Sequence, residues 1–371
     1  MRYAIGGLLR GLRVRAPDKN SVPPPASRRV IVIGAGLAGL ACAERLVLRG
    51  CQVTILEATN RVGGRVRAIR DFVPGAILEM GAEFVGNNHP LWKSYAKRFD
   101  IPLIKADDYA GQDKPILLRG KPVDRKEAAR LWVESDALLR RLNPLAMGVD
   151  ADEPWKSPCA EELDHLTLQD WLDAQTDVDE DVRTVAAVGM AGDNGVTCDR
   201  QSLLANLAMI KGGGMDAFWT DSEYYRAQGG NERLAQALLR EIGEDRVRFN
   251  SPVKSVRRFD GYSVVECTDG SHYTADEVVL ATPASAYDKI TFDPPLPKDL
   301  EVQMGKTLKM MARVEKDFWK QEHCAPEGLS DGLVSQMWDG TDGQVGARGA
   351  SLNALCLPAA TGTHAAAVGR D

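Results

Sequence analysis

Two rhythms of apolar and polar positions alternate along this chain. Near its start, "RRVIVIG" is an unbroken β-branched run, the pattern of a parallel strand buried on both faces. "LAGLACAERLVLRG" follows with apolar residues at helical spacing and a closing glycine as stop signal. "CQVTILEA" is a second buried strand, so the three segments close a strand-helix-strand unit of about 30 residues. From Leu91 to Ala208 the period is helical, as in "RKEAARLWVESDALLRRL" and "LTLQDWLDAQ". Strand patterns return from Asp245 to Pro283, with Asp260-Gly261 and Asp269-Gly270 as hairpin turns. "TLKMMARVEKDFW" is a further strand, and the tail from Gly340 is rich in Gly, Ala and Thr with little periodicity.

This order predicts an α/β fold: a Rossmann-like dinucleotide-binding domain, discontinuous in sequence, with an inserted α+β substrate-binding domain. The nucleotide domain is assigned residues 28–88 and 224–290. The inserted domain takes 89–223 as its helical part and 291–371 as its strands and tail. Residues 1–27 read as a disordered leader, with "VPPPAS" as a stiff spacer.

Composition narrows the chemistry. With 371 residues, 44% hydrophobic and 26% charged, the chain has room for two domains. A net charge of -6 and the lack of a basic run argue against nucleic acid as partner. The seven cysteines are scattered and never at metal-ligand spacing, so no metal site is expected and a reducing, cytoplasmic setting is. No apolar run approaches the roughly 20 residues that span a bilayer.

The first strand runs into "GAGLAG". Gly34 permits the turn out of the strand, Gly36 lets backbone approach a pyrophosphate, and Gly39 lets helix pack closely on strand. The helix N-terminus adds free N–H groups and a positive dipole end. Glu57, closing the second strand, is placed to accept from ribose hydroxyls. Beyond it, "EATNRVGGRV" supplies a second glycine turn, Gly63-Gly64, and Arg65, whose guanidinium suits a diphosphate oxygen.

With these motifs the chain resembles the FAD-dependent amine oxidases, the group of monoamine, polyamine and L-amino acid oxidases. The resemblance runs from Val30 to about Trp338 and is most specific in "VIVIGAGLAGLACAERL", "ILEATNRVGGRV", "LEMGAEFVG", "RAQGGNERLAQAL" and "VVLATP". It implies FAD as cofactor, with the backbone of Gly81, Ala82, Glu83 and Phe84 passing the flavin ring and that of Val253 meeting the adenine. It also implies that "QGGNERL" is the turn back into the FAD domain, opening a helix capped by Asn231. "GKTLKMMARVEKDFW" is similar to the segment whose lysine holds a water against flavin N5. That lysine falls on Lys309, with Lys306 the competitor in register. Strand alternation points Leu308 and Met310 to the face opposite Lys309.

The implied reaction is hydride transfer from the amine-bearing carbon to flavin N5, hydrolysis of the resulting imine, and reoxidation by dioxygen to hydrogen peroxide. An L-amino acid substrate would need a cation for its carboxylate, for which Arg226 is the candidate. A polyamine would favour acidic residues at the entrance, for which Glu83 is the candidate. A flavin-dependent desaturase and a catalytically inactive FAD-fold fragment stay open as alternatives. The glycine-rich segment and last helix that complete the FAD site in the resembled family are not found after Trp338, so truncation and weak FAD affinity are expected. Oligomeric state is not legible.

Overall fold

The computed structural model describes residues 28–357, other than 107, 108, 110, 299 and 301. The proposed leader therefore lies outside the described residues, as does the end of the tail. The chain opens with β1 (Arg29–Ile33), α1 (Leu37–Leu48) and β2 (Gln52–Leu56), followed by the short hairpin β3 (Ala68–Arg70) and β4 (Ile77–Glu79). Next come β5 (Leu103–Lys105), β6 (Ile116–Leu118) and β7 (Lys121–Pro122), then the helices α2 (Arg125–Arg140), α3 (Glu180–Asn194) and α4 (Leu203–Gly212). After β8 (Tyr225–Ala227) and α5 (Glu232–Ile242) lie β9 (Val247–Arg248), β10 (Val253–Arg258), β11 (Ser263–Cys267), β12 (His272–Ala275), β13 (Glu277–Leu280) and β14 (Thr291–Asp293). The last strands are β15 (Leu308–Val314), β16 (Gly328–Ser330), β17 (Val334–Asp339) and β18 (Ala350–Cys356).

Four of these strands form a parallel sheet in the order β13-β1-β2-β9. β1 lies inside it, which is why "RVIVI" shows no alternation: from Val30 on, every side chain is buried. α1 and α5 cover one face, where Leu40, Ala43, Leu234, Ala235 and Leu238 meet Val30, Val32 and Ile55. On the other face Ile31, Ile33 and Leu56 pack against a second sheet, β12-β11-β10-β14, built on the two hairpins expected at Asp260-Gly261 and Asp269-Gly270. Because β14 pairs with β10, this unit runs past the boundary assigned at residue 290.

The inserted region holds a helical core in which Leu131, Leu138, Leu172, Val182, Leu207 and Ile210 are fully enclosed. It is less purely helical than its periodicity suggests. β6 and β7 join the later strands in a six-stranded sheet, β15-β18-β17-β16-β6-β7. β18 corrects the reading of the tail as aperiodic, since this strand sits between β15 and β17 and pairs with both. Its inward positions carry Ser351 and Asn353, each fully buried, so the apolar alternation that marks a strand is inverted there.

Candidate active site

The two glycine turns seen in the sequence pack on one another. Gly63 N–H donates to Ala35 O at 2.9 Å, and Gly36 bridges Gly63 in parallel register. At Gly36, the residue before α1, no side chain caps the helix, and an added Cβ would meet nothing within 4 Å. Open space thus stands over a helix N-terminus rich in free N–H groups, which fits a diphosphate. Gly39 answers a different need: a Cβ there would drive into the carbonyl oxygen of Gly34.

Glu57 is buried, with Oε2 accepting from Ala35 N–H at 2.8 Å and Oε1 from Thr59 N–H and Oγ1 at 2.9 and 2.8 Å. Its carboxylate fixes the first turn and keeps lone-pair capacity for a hydroxyl. Arg65 is exposed. The residue that shapes the second turn is Arg61, unremarked in the sequence, which donates to Gly64 O at 2.7 Å, Val62 O at 3.1 Å and Val66 O at 3.2 Å. Val253 opens β10 next to this turn, because Asn250 and Ser251 N–H donate to Thr59 and Glu57 carbonyls.

The Gly81–Phe84 loop lies against the same turn. Ala82 N–H donates to Arg65 O at 3.1 Å, and a Cβ on Gly81 would collide with that carbonyl. Asn231 holds the loop from behind. Contrary to the capping role assigned to it, its side chain makes no cap bond to α5. Instead Nδ2 donates to Ala82 O at 3.0 Å and Glu83 O at 2.7 Å, while Oδ1 accepts from Ala227 N–H at 2.9 Å. His89 accepts from Gly86 N–H through Nδ1 at 2.9 Å and so braces the end of this loop.

Glu79, two residues before Gly81, is 3% exposed; Oε1 accepts from Asn231 N–H and Oε2 is buried without a partner. Burial pushes its carboxyl up to about 7. The folded chain therefore holds this proton more tightly than the unfolded chain. The stability it contributes is fully present below about pH 4.5 and falls by about 3 kcal/mol as pH rises towards 7. Glu79→Gln keeps the acceptor and cannot ionise, so its thermal midpoint is expected to exceed that of the parent at pH 8 and to approach it near pH 5. Equal slopes against pH for both proteins would contradict the assignment.

Lys309 comes to this loop from β15. Its Nζ donates to Gly81 O at 3.3 Å and to Glu83 Oε2, and stands 5.1 Å from the centre of the Trp338 ring. The register competitor, Lys306, is exposed. Leu308 and Met310 lie on the opposite, exposed face, as alternation requires. Lys309 thus faces a carboxylate as well as an aromatic ring. Glu83 also receives Arg226 Nε and Nη2 at 3.0 and 2.8 Å.

That arrangement corrects both substrate assignments. Arg226 is buried, and its Nε, Nη1 and Nη2 donate to Glu83, Asp342 and the Asp339 carbonyl, so it is engaged within the protein rather than presented to a substrate carboxylate. Glu83, with a side chain 4% exposed, stands at no entrance. Trp338, Asp342 and Asn353 join this cluster with no sequence signal to announce them. Phe84 lies 6.4 Å from Trp338, ring centre to ring centre.

A second acidic pair was also missed. Asp193 in α3 and Glu223 before β8 are both exposed at the surface, with protein packed around their carboxyl groups. Burial, then repulsion from Asp193, Glu83 and Glu327, pushes the Glu223 carboxyl up to about 8. Burial likewise raises Asp193, which accepts from Gln336 Nε2 at 3.0 Å. Trp219 packs edge-to-face on Phe218, and Tyr224 on Tyr225. Among the described residues there is no metal-binding group of His, Cys, Asp and Glu.

A family model described as flavin containing amine oxidoreductase matches residues 37–352. The chain belongs to this family. FAD is accordingly its cofactor class, and the Rossmann-like cradle is the part that suits it. Like other flavin amine oxidoreductases the chain has named relatives: it is 28% identical over 342 residues to putrescine oxidase of Kocuria rosea, covering 85% of this chain and 70% of that protein. It is 27% identical over 312 residues to the flavin-containing amine oxidase B of Canis lupus familiaris, covering 80% of this chain and 59% of that one. Among solved structures, putrescine oxidase bound to putrescine superposes with a TM-score of 0.75 at 25% identity, over 90% of this chain and 76% of the other. Cyclohexylamine oxidase from Brevibacterium oxydans shares the fold, with a TM-score of 0.77 at 24% identity over 90% and 76% of the two chains. No helix among the described residues is long and apolar enough to cross a membrane.

Proposed function

We propose that this flavin amine oxidoreductase oxidises a primary amine that carries a second cationic group. The observation that carries the reading is the meeting of Lys309 with the Gly81–Phe84 loop, 228 residues away in sequence, beside two stacked glycine turns. Gly34, Gly36, Gly39 and the first turn of α1 would hold the FAD diphosphate, with Gly63, Gly64 and Arg65 as a second contact. Glu57 would take the ribose, the Val253 backbone the adenine, and the backbone of Gly81, Ala82, Glu83 and Phe84 the ring. When bound, FAD supplies the two-electron acceptor for the amine-bearing carbon, and dioxygen restores it with release of hydrogen peroxide.

The chain's own residues then have three tasks. Phe84 and Trp338 present aromatic surface that keeps water from the amine. Lys309 Nζ offers donors that orient a single water at the loop. Glu223, whose carboxyl is raised to about 8 partly by the Asp193 charge, would ionise when a cation comes beside it and so bind that cation. The relative named for putrescine, a diamine, supports the same class of substrate. An amino acid fits less well, since Arg226 already serves Glu83 and Asp342.

Visible spectra test the reading directly: a chain loaded with FAD and freed of excess cofactor should bleach anaerobically when putrescine is added. Glu223→Gln is expected to raise KM for putrescine roughly tenfold, the worth of one charge-assisted hydrogen bond. KM for butylamine, which lacks the distal ammonium, should hold. An equal rise for both amines would remove Glu223 from distal recognition.

A further inference from the structure

The Glu83 side chain has no part in the backbone role that the Gly81–Phe84 loop plays towards the cofactor, yet it is among the most heavily bonded groups in the molecule. Oε1 accepts from Arg226 Nε and Nη2, while Oε2 accepts from Lys309 Nζ and from Asn353 Nδ2 at 3.2 Å. These donors come from β8, β15 and β18, and Arg226 is tied in turn to Asp342 and to the Asp339 carbonyl. Ser351 Oγ donates to Asn353 Oδ1 at 2.9 Å, which leaves the Asn353 amide nitrogen directed at Glu83. The inverted alternation of β18, with polar Ser351 and Asn353 turned inward, thus serves this one carboxylate.

We propose that the Glu83 carboxylate is the positioning residue for Lys309. It fixes the Lys309 ammonium between the Gly81 carbonyl and the face of Trp338, and without it that ammonium has no defined place. The proposal rests on the functional reading above for its consequence in catalysis, and on the contacts alone for its structural part. Three arguments support it. Lysine is a point charge on a four-carbon stem, so its position is set by its partner and not by its own geometry. Glu83 is its only carboxylate partner among the described residues within ion-pair distance. And Arg226, whose planar fork grips Oε1 twice, holds the carboxylate still, leaving Oε2 aimed at Lys309. Burial alone would raise the Glu83 carboxyl; the charges of Arg226 and Lys309 outweigh it and hold it below the usual carboxylate range, so the pair is ionised.

The test is site-resolved labelling of lysines in the cofactor-free chain with an amine-reactive reagent at one pH, read by peptide mass spectrometry against Lys306 as internal reference. In the parent chain Lys309 is expected to react slowly. In Glu83→Gln it should react roughly tenfold faster or more, the release of one charge-assisted bond. Asn353→Ala removes the neutral donor to the same Oε2 but leaves both charges of the ion pair and the Arg226 grip in place, so Lys309 should stay slow; acceleration in both variants alike would reduce Glu83 to packing and overturn the proposal. Should Glu83→Gln fail to fold, Glu83→Asp withdraws the charge by one methylene and is expected to speed Lys309 labelling as well; unchanged labelling in the folded variant overturns the proposal. In the FAD-loaded chain, Glu83→Gln should slow flavin reduction with KM for the amine unchanged. Accelerated labelling together with no flavin reduction in the parent chain would sink the amine oxidase reading and leave the positioning role standing, so the two failures are distinguishable.

Discussion

Lys309→Met is expected to slow anaerobic flavin reduction by about two to four orders of magnitude, the range by which a positioned proton-handling group contributes. Methionine keeps the length and the apolar stem of lysine, so the packing beside Trp338 survives. Glu83 keeps Arg226 and Asn353 as partners, so no buried carboxylate is stranded. What disappears is the donor beside the Gly81 carbonyl. FAD content should therefore match the parent chain while the chemical step fails, a split that stopped-flow reduction resolves from binding. Lys306→Met is the internal control, since Lys306 is exposed and should leave reduction unchanged. A Lys309→Met rate within threefold of the parent would confine Lys309 to pairing with Glu83.

That Lys309 and not Lys306 is the lysine of interest was legible through the resemblance of its segment to the family's, and alternation added only that Leu308 and Met310 face away from it. The cradle was legible from the residues themselves: Gly34, Gly36, Gly39, Glu57 and the Gly63-Gly64 turn act through backbone geometry that few other residues permit, so their spacing is itself the signal. The surroundings of Lys309 were not. Glu83 stood in a motif read for its backbone, and its partners Arg226, Asp342 and Asn353 come from segments with no shared pattern. β5, β6 and β7 span three residues or fewer each, too short for any period to show. β18 hid for the opposite reason, because a buried polar network turned its hydrophilic side inward. Asn231 reads as a helix cap by position, and only the fold shows its amide reaching instead to the Ala82 and Glu83 carbonyls.

Gly39→Ala and Gly36→Ala, one helical turn apart, are expected to fail in different ways. At Gly39 an added methyl meets the Gly34 carbonyl oxygen and lies 3.3 Å from Ala281 Cβ. Both neighbours lie one residue past the ends of β1 and β13, so α1 must lift away from the end of the sheet, at a cost of about 3 kcal/mol. Urea unfolding should register that loss with or without FAD. Gly36 is different, since its backbone angles suit any residue and a methyl there would meet nothing within 4 Å. The cofactor-free chain should unfold within about 0.5 kcal/mol of the parent. Yet the methyl stands over the free N–H groups of α1, where a diphosphate has to approach, so FAD affinity should fall at least about tenfold. A Gly36→Ala chain that takes up FAD like the parent would place the diphosphate elsewhere. A Gly39→Ala chain of undiminished stability would mean that α1 does not rest on the sheet as closely as the Gly34 carbonyl requires.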